Sequence, residues 1–161
     1  MALYVINKDE HSSGLDIGLD SKDFRFTATL DRNCLYDSSK FPEGDRLDIN
    51  KLRGSTNGWT ENHSGRFGWR CIDNSYFEIL AYVRDGGEFK AGTETILGTV
   101  QPNEEFKCRL RNIGKLWIFN FNNGPDVKID KSTNPTWPRW KLKFYFGGNN
   151  PAPHTMFCFI N

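Results

Sequence analysis

The chain has 161 residues, with 21 Lys and Arg against 20 Asp and Glu, so its formal net charge is +1. This balance excludes the strongly basic surface that attracts nucleic acids or anionic membranes. Aromatic residues make up 14% of the chain and Ala is scarce, a composition that predicts an all-β protein because aromatic rings favour strands and Ala favours helices.

The first 23 residues are polar and rich in Gly and Asp, and we expect an extended lead-in with one short strand at residues 3–6. They contain no basic stretch followed by an apolar run, so we expect synthesis in the cytoplasm without a signal peptide. No segment of the sequence approaches the ~18 consecutive apolar residues of a membrane span.

An acidic cluster lies within this lead-in, at Asp16, Asp20 and Asp23. Its spacing differs from that of an EF-hand loop, which needs ligands at alternate positions, a Gly at the sixth position and a Glu at the twelfth. Two interpretations of this cluster remain: a Ca²⁺ site at the edge of a sandwich, or an acidic loop exposed to solvent. We otherwise expect no metal and no cofactor.

Apolar and polar residues alternate along three segments, at residues 24–30, 76–84 and 106–111. Period two is the period of a strand, and one apolar face with one polar face is typical of antiparallel sheets. Turn-forming residues separate these segments from further strand candidates at residues 46–52, 66–70, 95–100, 115–121, 139–146 and 155–160. About ten short strands predict an antiparallel β-sandwich of the jelly-roll type, forming one domain over residues 1–161.

The four cysteines are Cys34, Cys71, Cys108 and Cys158, and they lie far apart along the chain. No Cys-x-x-Cys pair occurs, and no His stands at metal-ligand spacing from a cysteine, so we expect no zinc site. Because three of the four fall within predicted strands, we expect buried, reduced thiols that act as small apolar side chains.

Signatures of catalysis are few, and we expect no enzyme. No serine lies in a Gly-x-Ser-x-Gly elbow. Sandwich glycosidases place two carboxylates on one face of a strand, whereas here Glu78 is alone and Glu104 and Glu105 are adjacent and would face opposite ways. Basic residues alternate with aromatic ones over 139–146, but the aromatic face needs burial, so we expect no nucleic-acid partner.

Two segments gather aromatic rings together with planar polar groups, the combination that binds sugars. The candidate ligand-binding residues are Trp59, Glu61, Asn62, His63 and Arg66 in the first segment, and Trp137, Tyr145, Asn149 and His154 in the second. The two tryptophans lie in polar loops, where no apolar pattern places them in a core.

Some segments resemble known families. Residues 103–124 resemble the central hairpin of laminin-G-like and concanavalin-like sandwiches. The stretches at 64–70, SGRFGWR, and 145–160, YFGGNNPAPHTMFCFI, resemble motifs of a small domain family of gut Bacteroidota surface proteins and of phages of those bacteria. That resemblance runs from about His11 to the C-terminus. The segment 86–92, GGEFKAG, resembles a strand motif of sandwich-fold alginate lyases, but the Gln-Ile-His element of those enzymes is absent.

These observations lead to three hypotheses for function. The first is a non-catalytic recognition module that binds a glycan or a protein surface through loop aromatics. The resemblance to the Bacteroidota and phage family implies an alternative, an auxiliary or decoration protein that contacts the capsid proteins of a phage particle and is located in the virion. The third hypothesis is a polysaccharide lyase or glycoside hydrolase.

Overall fold

The computed structural model describes residues 1–13, 18–92 and 95–161, which form two antiparallel sheets packed face to face. The first sheet contains β1 (Ala2–Ile6), β2 (Asp23–Leu30), β8 (Glu105–Ile113), β9 (Leu116–Phe121), β10 (Asp126–Asp130) and β12 (Met156–Ile160), in the order β1-β12-β2-β8-β9-β10. The second contains β3 (Asn50–Thr56), β4 (Ser64–Ile72), β5 (Tyr76–Asp85), β6 (Glu88–Ala91) and β11 (Lys141–Leu142), in the order β11-β3-β4-β5-β6, and β7 (Ile96–Val100) pairs with β5. Short 3-10 turns at Arg32–Cys34, Ser38–Lys40 and Glu43–Asp45 connect β2 to β3.

The predicted all-β antiparallel sandwich is confirmed, with twelve strands in the described residues rather than about ten. Alternation predicted neither β6 nor β10, because both are short and carry mostly exposed or charged residues, although β6 lies within the segment 86–92 that resembles a lyase strand motif.

The predicted continuous strand at 139–146 is wrong. Only Lys141–Leu142 forms a ladder with β3, and Trp140 and Tyr145 make isolated bridges. The backbone hydrogen bonds of this segment go to the lead-in on one side and to β3 on the other: Lys141 N donates to Gly18 O, and Tyr145 N donates to Lys51 O, both at 2.8 Å. The bridge from Tyr145 to Lys51 keeps the register of the Lys141–Leu142 ladder, so the pairing with β3 is interrupted at residues 143–144 and not shifted.

The core between the sheets is dominated by aromatic rings, and the SGRFGWR motif of β4 contributes to it directly. Phe67 and Trp69 are fully buried, as strand alternation requires. Gly65 lies against Trp117, where a Cβ atom would stand 2.6 Å from the indole ring. This glycine is therefore needed so that a large ring can pack against the backbone of β4.

The predicted burial of the cysteines is confirmed, and each is a free thiol. Burial raises the pKa of the thiols of Cys34, Cys71, Cys108 and Cys158 above the ordinary value. No helix in the described part of the chain has the length and apolar character needed to cross a bilayer.

Candidate functional site: a basic cleft on the second sheet

Alternation along β4 and β5 directs polar side chains to the face of the second sheet that points away from the main core. On β4, Arg66 follows this rule while its neighbour Phe67 enters the core. Arg66 is paired with Tyr82 of β5, and Ser64 is paired with Arg84. Because cross-strand partners on one face stand close together, two arginines and a tyrosine meet on this surface.

These side chains line an open cleft of about 670 Å³. Strands β3 and β11, the loop that follows β11 and the lead-in supply its remaining walls. The lining carries five basic side chains and one acidic side chain among the described residues: Lys51, Arg66, Arg84, Lys141, Lys143 and Glu61. Aromatic rings of Tyr82, Trp140 and Tyr145 complete the lining. The cleft is therefore both cationic and aromatic.

Lys51 lies between two of these rings. Its Nζ atom is 5.2 Å from the centroid of the Tyr82 ring and 5.5 Å from that of Tyr145, and it donates a 2.9 Å hydrogen bond to the carbonyl oxygen of Gly147. Burial disfavours the ammonium form and lowers the pKa of Lys51 to about 8, and the nearby positive charge of Arg66 adds to this effect. Lys51 thus loses its proton at a lower pH than an exposed lysine does.

Arg66 is only 7% exposed, and burial lowers the pKa of its guanidinium. Its Nη2 atom forms a 2.8 Å ion pair with Glu61 Oε2. Gly54 lies opposite on β3, where a Cβ atom would stand 2.5 Å from Arg66 Cγ, so this position admits no side chain. The Nε atoms of Arg66 and Arg84 are both buried and make no hydrogen bond within the described part of the chain. The two guanidinium groups line the cleft, and guanidinium groups of this kind can pair with a carboxylate ligand.

A second groove of about 550 Å³ continues the cleft beyond β5. Lys51, Tyr82 and Gly148 line both depressions, and the second groove adds Ile49 and Phe89. Phe89 packs edge-on against Tyr82 with ring centroids 5.4 Å apart. The two depressions together form one track across the sheet.

At the other end of the track, a buried asparagine holds two loops together. Asn57 is 4% exposed and uses both ends of its side-chain amide. Its Nδ2 group donates to Thr133 Oγ1 and Asn134 O, and its Oδ1 atom accepts from Asn112 Nδ2 and Thr136 N, at 2.8–3.0 Å. This network anchors the 131–140 loop beside the cleft.

The sequence-predicted residues divide into two groups. Glu61, Arg66 and Tyr145 line the cleft, and Trp59 packs against the cleft-lining ring of Trp140. The other five do not line the cleft and contact protein groups elsewhere. Asn62 O accepts from Gly87 N, and His63 Nδ1 lies 2.8 Å from Asp85 Oδ1. The Trp137 ring lies under the guanidinium of Arg139, Asn149 Nδ2 donates to Asp45 Oδ1, and His154 Nε2 lies 2.8 Å from Asn33 O.

Sequence reasoning missed six residues that give the cleft its charge and its rings: Lys51, Tyr82, Arg84, Trp140, Lys141 and Lys143. A signal for four of them was present, because alternation over 76–84 and 139–146 places them on the polar faces of predicted strands. Lys51 had no such signal, since the register of β3 against β4 shifts between Lys51 and Arg53.

The acidic cluster of the lead-in does not form a cation site in the described part of the chain. Asp16 lies outside the described residues. Asp20 forms a 2.8 Å ion pair with Arg53, and Asp23 binds Arg109, which lowers the pKa of the Asp23 carboxyl. Within residues 1–13, 18–92 and 95–161, no group of three or more His, Cys, Asp or Glu side chains could hold a metal ion.

The sequence matches no protein-family profile and no curated protein. Several solved structures are similar to the fold. The alginate lyase Aly36B superposes with a TM-score of 0.61 at 13% identity, covering 99% of this chain and 77% of that one. The polysaccharide lyase family 18 protein aly-SJ02 gives a TM-score of 0.55 at 9% identity, covering 86% of this chain and 70% of that one.

An alginate lyase from Alteromonas sp. 272 gives a TM-score of 0.54, also at 9% identity, with coverage of 86% and 70%. A variant of Aly36B in which a lysine and a tyrosine are replaced by alanine was solved in complex with an alginate tetrasaccharide. At these identities the likeness concerns the fold alone. The chain thus shares the jelly-roll β-sandwich fold of the alginate lyases.

Proposed function

We propose that this protein binds an acidic polysaccharide of the polyuronate class in the basic cleft. The observation that carries the proposal is the charge of the lining, which among the described residues holds five basic side chains against one acidic side chain, in a chain whose net charge is only +1. The local excess of basic side chains favours a positive potential at the cleft, although the whole chain is nearly neutral. A polymer with a carboxylate on each sugar matches this potential.

The cleft offers a polyuronate two kinds of contact. The guanidinium groups of Arg66 and Arg84, which line the cleft, can donate to sugar carboxylates, and guanidinium–carboxylate hydrogen bonds are among the stronger ones. The rings of Tyr82 and Tyr145 offer flat apolar faces for the C–H side of a pyranose. That Aly36B structures of the same fold contain an alginate trisaccharide and a tetrasaccharide supports a glycan as the occupant.

Calorimetric titration with alginate, polygalacturonate and neutral dextran oligosaccharides tests the proposal. We expect binding of the two acidic glycans, weakening as salt is raised, and none of dextran. Arg84→Gln should reduce affinity about tenfold or more, whereas Arg25→Gln, the same change on an exposed site of the other sheet, should leave it unchanged. Equal affinity for acidic and neutral glycans, or equal effects of the two substitutions, would refute the proposal.

A second candidate function, β-elimination of the bound polyuronate, is favoured by Lys51. In this step neutral Nζ takes the proton from C5, which is α to the carboxylate, the electron pair forms the C4–C5 double bond, and the C4–O bond breaks. The leaving oxygen takes a proton from the hydroxyl group of Tyr82 or Tyr145. Burial raises the pKa of Tyr82 and keeps that hydroxyl protonated. Arg66 would stabilise charge that develops on the carboxylate.

Release of unsaturated uronate, followed by its ultraviolet absorbance, separates a lyase from a non-catalytic recognition module. A lyase should gain activity as the pH approaches about 8, because the neutral fraction of Lys51 rises. Lys51→Gln should abolish release while retaining measurable binding. Binding of alginate by the wild type without any release would instead favour the recognition module expected from the sequence. The phage-particle alternative stays a prediction, to be tested by mass spectrometry of virions.

A further inference from the structure

Two tryptophans form an uncharged aromatic surface beside the basic cleft. Trp59 is 76% exposed, and its ring centroid lies 6.1 Å from that of Trp140, with the ring planes tilted by 53°. Trp140 itself lines the cleft. Neither ring belongs to the main core cluster. We call this pair of rings the aromatic ledge.

Hydrogen bonds fix the backbone of both rings. Thr56 N donates to Trp140 O at 3.0 Å, and Thr56 Oγ1 accepts from Trp140 N at 2.8 Å. One residue before Trp59, Gly58 N donates to Pro138 O at 3.0 Å. The Asn57 network lies directly beside these contacts. A surface held in this way loses little conformational freedom when a ligand arrives, which favours binding.

The ledge continues the track of the cleft in the direction opposite to Phe89. Trp140 lines the first depression, Phe89 lines the second, and Lys51 and Tyr82 lie in both. A chain that crosses Lys51 in this direction therefore reaches Trp140 and then Trp59. The ledge offers this chain apolar ring faces, in contrast to the charged groups of the cleft.

We propose that the aromatic ledge stacks against sugar residues of the same polyuronate chain after it leaves the basic cleft, so that the protein prefers long chains to short ones. The inference rests on the proposed function and adds the length of the ligand and a second, uncharged contact. Stacking of a pyranose C–H face on an indole ring does not depend on ion pairing, so it persists when salt weakens the cleft contacts.

The test compares the affinities of the wild type, Trp59→Ala and Trp137→Ala for alginate oligosaccharides from the disaccharide to the octasaccharide. Trp137 is a matched control, because it is 62% exposed, lies in the same 131–140 loop as Trp140 and does not line the cleft. Trp59→Ala should weaken binding of the octasaccharide by roughly three- to tenfold and leave the disaccharide unchanged. Trp137→Ala should change neither. The loss in Trp59→Ala should be the same at low and high salt.

Equal octasaccharide affinity of Trp59→Ala and the wild type would overturn the ledge while leaving the proposed function in place. So would an equal loss at every oligosaccharide length, or an equal loss in Trp137→Ala. If the wild type binds no alginate oligosaccharide of any length, the proposed function fails and the ledge fails with it. Because Trp59 is largely exposed, we expect the variant to unfold at the same urea concentration as the wild type, which excludes misfolding as the cause.

Discussion

Replacing Lys51 with methionine should make the protein more stable and weaken its ligand binding. Methionine keeps the length and the apolar stem of the side chain but carries no charge. In the wild type, burial among Tyr82, Tyr145 and Arg66 lowers the pKa of the ammonium from 10.5 to about 8. A cation held where it is disfavoured destabilises the fold, and functional sites often carry such strain.

The magnitude follows from this pKa difference. At about 1.4 kcal/mol per pKa unit, the change from 10.5 to about 8 corresponds to a destabilisation of about 3 kcal/mol at pH 7, where the group is charged in both the folded and unfolded states. The substitution also removes the hydrogen bond to Gly147 O, worth about 1 kcal/mol, and solvent screens part of the desolvation effect. We therefore expect Lys51→Met to raise the free energy of unfolding by about 1–2 kcal/mol at pH 7.

The advantage of the variant should disappear at high pH. Between pH 8 and 10.5 the unfolded wild type binds a proton that the folded protein does not, so wild-type stability rises with pH relative to the variant. Lys131, whose pKa burial also lowers to about 8, has the same effect in both proteins and cancels in the difference.

Urea unfolding of both proteins at pH 7 and pH 10, with alginate titration at pH 7, provides the measurement. A variant no more stable than the wild type at pH 7, or an advantage that does not shrink at pH 10, would refute the reasoning.

Three further substitutions test the packing and charge of the site. Glu61→Gln removes the acidic partner of the cleft ion pair and should tighten alginate binding about two- to fivefold; weaker binding would show that the carboxylate assists the ligand. Gly65→Ala places a Cβ atom 2.6 Å from a core indole and should lower the free energy of unfolding by about 1–3 kcal/mol, whereas Gly44→Ala, with no atom within 4 Å, should change it little. Asn57→Ala leaves buried partners unpaired and should cost about 2–3 kcal/mol in urea unfolding, and an unchanged midpoint would contradict the anchoring role of its network.

Local pattern was enough to predict most of the strands. Alternation over residues 24–30 and 106–111 corresponds to β2 and β8, because each strand buries one face in the same core. The failure at 139–146 has a physical cause as well. Its alternation is as regular as that of a strand, but its ladder with β3 is interrupted at residues 143–144, and the continuity of a ladder depends on a partner strand that only folding brings alongside.

By itself the sequence determined the class of the protein: the aromatic content and the period-two alternation indicate an antiparallel sandwich with a buried aromatic core. It also marked Arg66 and Tyr145, because they occur in polar or turn-rich segments beside aromatic residues. Only the tertiary structure decided that these two residues share a cleft with Lys51 and Arg84. Cross-strand neighbours depend on long-range register, and the register shift in β3 is not visible in local alternation. The net charge of the chain does not show where its charged side chains lie. The excess of basic side chains in the cleft therefore arises only when folding brings them together.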